Sequence, residues 1–152
     1  MGTGRKRKGK KDRPMRCPYC GGPVVYRSSK GIYRDGSRQT MLYVCANYPA
    51  CDAYVRVHEG TRIPVGSLAD WKLRKLRREA HRHFNRLYED GHMSRQDAYR
   101  WLADITGAPP SEAHIGHMGE YYCQFVIDKS DELMERRGLL DTGRPRQRAA
   151  QA

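Results

Sequence analysis

The sequence predicts an α+β chain, in which a small antiparallel β ribbon tied by cysteines is followed by a compact three-helix part. Three observations predict it. Two close cysteine pairs, Cys17-x2-Cys20 and Cys45-x5-Cys51, bracket short segments with strand-like alternation. From residue 67 onward, apolar residues recur at steps of three or four, the period of a helix. Between the two patterns lies TRIPVG, residues 61–66, which has no period of its own and reads as a linker.

Composition agrees. Of 152 residues, 38% are hydrophobic and 30% charged, too little apolar material for one large core and enough for two modest ones. Residues 1–13, MGTGRKRKGKKDR, have no apolar side chain after Met1 and read as a disordered basic arm.

The ribbon occupies residues 14–60. Val24, Val25 and Tyr26 open a strand after Gly21-Gly22, Gly31-Ile32-Tyr33 continues a hairpin, and Asp35-Gly36 is a turn signal. Met41-Leu42-Tyr43-Val44 leads into the second cysteine pair. Beyond that pair, Ala53, Val55 and Val57 face one way, and Tyr54, Arg56 and His58 the other.

The helical domain covers residues 67–138. Ser67 with Asp70 forms a capping box that opens a helix to Glu89, and Gly91 ends it. Its apolar stripe is Leu73, Leu76, Ala80, Phe84 and Leu87. Ser94 with Asp97 caps a second helix that turns Ala98, Trp101, Leu102 and Ile105 inward and stops at Gly107 and Pro109-Pro110. A single helical turn is expected at Ser111 to Ile115. The last helix, Gly119 to Arg137, is expected to bury Tyr122, Phe125, Val126 and Leu133. The tail, residues 139–152, carries RPRQR without a core pattern and reads as flexible.

The two cysteine pairs have the spacing of metal ligands. Zinc takes four soft donors in a tetrahedron, with sulfurs at ~2.3 Å. A Cys-x2-Cys step lets two thiolates reach one ion. Pro18 pre-sets the turn, and Gly21-Gly22 lets the chain leave it. Cys17, Cys20, Cys45 and Cys51 are therefore expected to hold one zinc ion. Four thiolates leave no open coordination position, so the ion is structural, and it contributes on the order of 10 kcal/mol to folding. The alternative is a set of buried or disulfide-bonded cysteines. In a reducing compartment, pairs at this spacing favour the metal.

At these residues a resemblance emerges. CPYCGGPVVYR followed by CANYPACDAYV resembles the C4 zinc ribbons repeated at the C-terminus of bacterial type IA DNA topoisomerases. The matching positions are Cys17, Pro18, Cys20, Gly21, Cys45, Asn47, Tyr48, Pro49 and Cys51. The resemblance implies binding of single-stranded DNA through exposed aromatic and basic side chains, and it includes no topoisomerase catalytic domain. The stretch from Arg16 to about Asp131 also resembles a family of zinc-finger proteins of bacteriophages and prophages. Met93-Ser94-Arg95, Ala98-Tyr99-Arg100-Trp101-Leu102-Ala103 and His114-Ile115-Gly116 carry that likeness. It implies a phage-encoded protein in a bacterial cytoplasm and no particular activity.

Charge points the same way. The formal net charge is +12, and residues 1–16 hold eight Lys/Arg against Asp12 alone. Residues 67–90 carry a net +3, while residues 91–138 carry a net −3. Such a field attracts polyanions. Ten tyrosines and two tryptophans are interleaved with arginines, the combination that stacks bases and follows phosphates. The expected contacts are Arg27, Arg34, Tyr54 and Arg56 on the ribbon, and Lys72, Lys75, Arg78 and Arg82 on the first helix. On that helix Arg74, Arg77, Arg78, His81 and Arg82 read as one basic face. The alternatives are tyrosines that pack the ribbon, a charged face that is merely solvated, and an arm that only aids solubility. DNA and RNA are not distinguished.

No Gly-rich phosphate loop, HExxH helix or Gly-x-Ser-x-Gly elbow occurs, so a non-enzymatic protein without a small-molecule substrate is expected. His114, His117 and Cys123 lack a fourth ligand, and Cys123 reads as a buried thiol. Asp128, Asp131, Glu132 and Glu135 read as solvated surface. A protein-interaction adaptor is the competing class, docking a host protein such as a polymerase or nuclease through Trp71, Tyr99 and Tyr121. Neither a signal peptide nor a ~20-residue apolar span is found, so a cytoplasmic protein without membrane contact is expected.

Overall fold

Alternation of apolar and polar residues organises the first half of the chain. The computed structural model describes residues 15–34 and 39–138. The basic arm at 1–13, the Asp35-Gly36 turn and the tail at 139–152 lie outside the described residues. β1 (Val24–Ser28) pairs antiparallel with β2 (Met41–Cys45), and β2 with β3 (Tyr54–Arg56), in the order β1-β2-β3. The expected α+β architecture, a three-stranded sheet followed by three helices, is what the chain forms.

Register assigns each side chain to a face. Val24 lies opposite Cys45 and Tyr26 opposite Tyr43, which in turn lies opposite Val55. This face carries one core cluster of the ribbon, where Cys17, Cys45, Ala53, Val55 and Leu68 gather with Val24, Tyr43, Cys51 and Val65, while Leu42 and Val44 at the centre of the other face are fully buried as well. On the other face Arg27 and Arg56 both lie opposite Leu42, and Val25 and Tyr54 both lie opposite Val44. Ala53, Val55 and Val57 are buried while Arg56 and His58 are exposed, as the alternation predicts. Tyr54 is half-buried, with the Tyr33 ring 6.2 Å away edge-on.

Residues 61–66, expected as a linker, turn back on the ribbon. His58 N–H donates to the Ile63 carbonyl at 2.9 Å and Val65 N–H to the Arg56 carbonyl at 3.0 Å. The chain then divides between Trp71 and Lys72 into two compact units.

The first helix starts later than its sequence suggests. α1 spans Trp71–Glu89, because Ala69 and Tyr54 exchange two backbone hydrogen bonds of 3.1 Å. A residue engaged in that strand-like bridge cannot also join a helix, so Ser67 is not the cap. Trp71 N–H donates instead to Asp52 Oδ2 at 3.2 Å, satisfying one of the orphan donors at the helix start.

Within the helical unit, α1 buries Leu73, Arg77, Ala80, Phe84 and Leu87. Arg77, expected on an exposed basic face, is buried, and its Nε–H donates to the Met118 carbonyl at 3.1 Å. α2 spans Arg95–Thr106. Ser94 Oγ accepts from Asp97 N–H at 3.0 Å, and Gly107 ends the helix with φ 68°, as expected. A helical turn forms at Ile115–His117 instead of Ser111 to Ile115.

α3 spans Glu120–Arg136 and buries Cys123, Val126, Ile127, Ser130 and Met134. Tyr122, expected inside, is exposed, and Phe125 and Leu133 are only half-buried. The helix is rotated so that Ile127, Ser130 and Met134 join Cys123 and Val126 inside, and the Tyr121 and Tyr122 rings face out. Asp131, expected on solvated surface, holds the Arg86 guanidinium at 2.6 Å and lies 2.6 Å from His83 Nδ1, linking α3 to α1.

Phe84 is fully buried. Its ring meets Tyr99 edge-on at 5.1 Å and lies parallel to Trp101 at 6.5 Å. Phe84→Ala is expected to cost about 3–5 kcal/mol, read as a lower denaturant midpoint in tryptophan fluorescence.

Candidate metal centre

Two tight turns bring four thiols together. In the first, Gly21 N–H donates to the Cys17 carbonyl and Cys17 N–H to the Gly22 carbonyl, both at 2.9 Å. Gly21 takes φ +71°, which its missing Cβ makes accessible without strain. In the second, Tyr48 N–H donates to the Cys45 carbonyl at 3.0 Å and Cys51 N–H to the Asn47 carbonyl at 3.1 Å. Ala46 N–H reaches across to the Pro23 carbonyl at 2.9 Å and ties one turn to the other.

The four sulfurs all lie within 4.8 Å of one another. Cys17 and Cys51 are 3.6 Å apart at Sγ, and Cys20 and Cys45 3.4 Å. A disulfide requires ~2.05 Å. A zinc tetrahedron with ~2.3 Å bonds has edges of about 3.8 Å, close to the separations found here. The donor set and its spacing fit one structural zinc ion held by Cys17, Cys20, Cys45 and Cys51. Among the described residues this is the one group of three or more His, Cys, Asp or Glu side chains gathered closely enough for a metal.

The thiols are not equivalent. Cys45 is buried, and burial pushes it up to about 12. Cys20 is exposed and held down to about 6, first by the Asn47 side-chain amide and then by the Gly22 backbone N–H. Thiolate character is thus favoured at Cys20, and a bound cation supplies the charge that opposes the effect of burial at Cys45.

Asn47 Nδ2–H donates to Cys20 Sγ at 3.4 Å. A Cβ added to Gly22 would stand 2.8 Å from Asn47 Nδ2 and 3.2 Å from Cys20 Sγ, so Gly22 leaves the room that this contact needs. The ribbon motif includes Asn47 but does not by itself specify this role. Its position two residues after a ligand was the available signal. Asp52 was missed altogether, because its bond to Trp71 joins distant segments.

Cys123 stands apart. It is buried, burial pushes it up to about 11, and its Sγ lies 3.7 Å from the Met118 carbonyl. The rings of His114 and His117 are 6.3 Å apart, and both residues are exposed.

The expected nucleic-acid contacts fall into two groups. Arg27, Tyr54 and Arg56 share one face of the sheet by register, and Arg34 is exposed beyond Tyr33. On α1, Lys72, Lys75, Arg78 and Arg82 are exposed and follow at steps of three and four, so they share a helix face. Arg82 is ion-paired with Glu79, whose carboxyl it holds below the usual range.

Comparison with known proteins agrees with the cysteine geometry. A family described as a zinc-finger-containing domain matches residues 13–133. The chain belongs to that family. Searches of curated proteins and of solved structures gave no match. For this member of the family, one zinc per chain is expected by elemental analysis. Cys45→Ser should abolish it and unfold the ribbon, whereas Cys123→Ser should leave the stoichiometry unchanged. Asn47→Ala should weaken zinc binding about 10–100-fold in a chelator competition.

Proposed function

We propose that the chain acts by binding and not by catalysis, and that its ribbon takes single-stranded nucleic acid, DNA or RNA. The observation that carries this reading is the sheet face shared by Arg27, Tyr54 and Arg56. On such a face a tyrosine ring stacks a base, at ~1–3 kcal/mol, while arginines at its rim follow the phosphates. The net charge of +12 and the basic row on α1 support it. The likeness of residues 93–103 and 114–116 to a phage family supports a phage-encoded protein working in a bacterial cytoplasm. Among the described residues no helix is long and apolar enough to cross a membrane.

A second reading is an adaptor that docks a host protein such as a polymerase or nuclease. It is favoured by the outward rings of α3. Tyr121 is 73% exposed and lies parallel to Phe125 at 6.3 Å, in a part of the chain with net negative charge. Of the other docking candidates, Trp71 is exposed, but Tyr99 is half-buried against Phe84. Purification from bacterial lysate with and without nuclease separates the two readings, since only protein partners survive the treatment.

If ~6 phosphates are neutralised, affinity for a single strand should fall with salt at a log–log slope of about −4. Replacing Arg27 and Arg56 together with Ala should flatten that slope by about 1.4. Absence of binding even at low salt would end the nucleic-acid reading.

A further inference from the structure

Arg95, Tyr99 and His114 belong to neither the zinc centre nor the ribbon face, yet the helical unit gathers them. They line, with Gln96, an open groove of about 430 Å³. Arg95 and Tyr99 are one helical turn apart on α2 and therefore project from one side of it. The segment leading into the Ile115–His117 turn brings the His114 ring to 6.1 Å from that of Tyr99.

The lining has one chemical character. Guanidinium, amide, phenol and imidazole all donate hydrogen bonds, and no carboxylate is among them. The Arg95 guanidinium stands 5.5 Å from the Tyr99 ring centroid and 5.9 Å from that of Tyr88. Neither Arg95 nor His114 forms an ion pair among the described residues. An arginine resting on rings, without a carboxylate, keeps its planar fork for an incoming anion. The groove is broad and open to solvent, and it offers more room than a bare oxyanion fills. Its aromatic wall adds a surface for a flat ring. A nucleotide unit supplies an anion and a flat ring together.

We propose that this groove binds a nucleotide unit, with the phosphate on Arg95 and His114 and the base against Tyr99. A free nucleotide and a residue within a strand share that chemistry. The site lies in the helical unit and does not depend on the ribbon reading.

The test uses the full-length, zinc-loaded chain and amide NMR spectra, with adenosine monophosphate, adenosine, inorganic phosphate and oligothymidine as probes. Adenosine monophosphate or the oligonucleotide should shift the signals of Arg95, Gln96, Tyr99 and His114. Response to the mononucleotide identifies a free nucleotide as sufficient, and response to the oligonucleotide alone identifies a strand. Adenosine and phosphate should each bind at least tenfold more weakly than the responding probe. Arg95→Gln and His114→Gln, both at exposed positions, should each weaken binding about tenfold without moving the unfolding midpoint. Arg27→Ala with Arg56→Ala should leave the groove's response intact, so failure of the ribbon and failure of the groove are read separately. The proposal is overturned by unshifted groove signals with both nucleotide probes, by phosphate or adenosine binding as tightly, or by variants that bind like the parent.

Discussion

Coordination of one ion by four thiolates is the constraint from which the ribbon follows. Its strands have five, five and three residues, and such a sheet cannot bury enough apolar surface to hold itself together. The core it does build includes Cys17 and Cys45 among its five buried members. Two of the metal ligands are therefore core residues as well, and the ion joins the ends of a segment running from residue 17 to residue 51. Ala53 completes the connection, since its carbonyl accepts from the Cys45 N–H at 2.9 Å and its side chain lies in the same cluster. Removing the metal would leave four thiols crowded at distances they have no other reason to adopt.

Coordination also sets up the start of the helical part. Asp52 directly follows the last ligand, and its carboxylate receives the first amide of α1. Tyr19, between the first two ligands, places its hydroxyl 3.2 Å from the Asp70 amide. Both turns of the metal centre thus supply groups to the chain just before and at the helix start. The effect is polar and joins segments far apart in the chain, and hydrophobic periodicity carries no trace of it.

What the sequence disclosed and what it hid divide along the same line. Cysteine spacing, the Ser94 cap and the left-handed Gly107 are determined within a few residues, and each was legible. The start of α1 was not, because it depends on Ala69 pairing with Tyr54, fifteen positions earlier. Arg77 was misread for a different reason. Positions 73, 77, 80, 84 and 87 form a regular helical stripe, but the charge at 77 suggested water, and Leu76 was chosen instead. Its long side chain lets the guanidinium find a carbonyl while the position stays inside. In α3 the aromatic residues suggested the core, whereas the true stripe runs through Cys123 and Ser130, small side chains that permit close packing. The expected and the observed stripes share the helical period in both cases, so residue size and charge misplaced the phase and not the period.

These details change what the net charge means. A total of +12 suggests a broadly positive surface, yet part of the positive charge on α1 is engaged within the fold. Arg77 serves the Met118 carbonyl, Arg86 serves Asp131, and Arg82 serves Glu79. Drawing Arg86 to a polyanion means giving up a 2.6 Å ion pair, so that residue adds less to binding than its charge implies. On β1, Arg27 donates to the Lys30 carbonyl at 3.2 Å and forms no ion pair with a carboxylate among the described residues. Arg56 is exposed on the same sheet face and makes no ion pair among the described residues. A guanidinium without a carboxylate meets a phosphate with no competing pair to break. The electrostatic weight of the proposed interaction therefore rests on the ribbon more than on the helix, although the helix carries as many arginines. Since the metal fixes that ribbon, zinc determines whether Arg27, Tyr54 and Arg56 share a face at all.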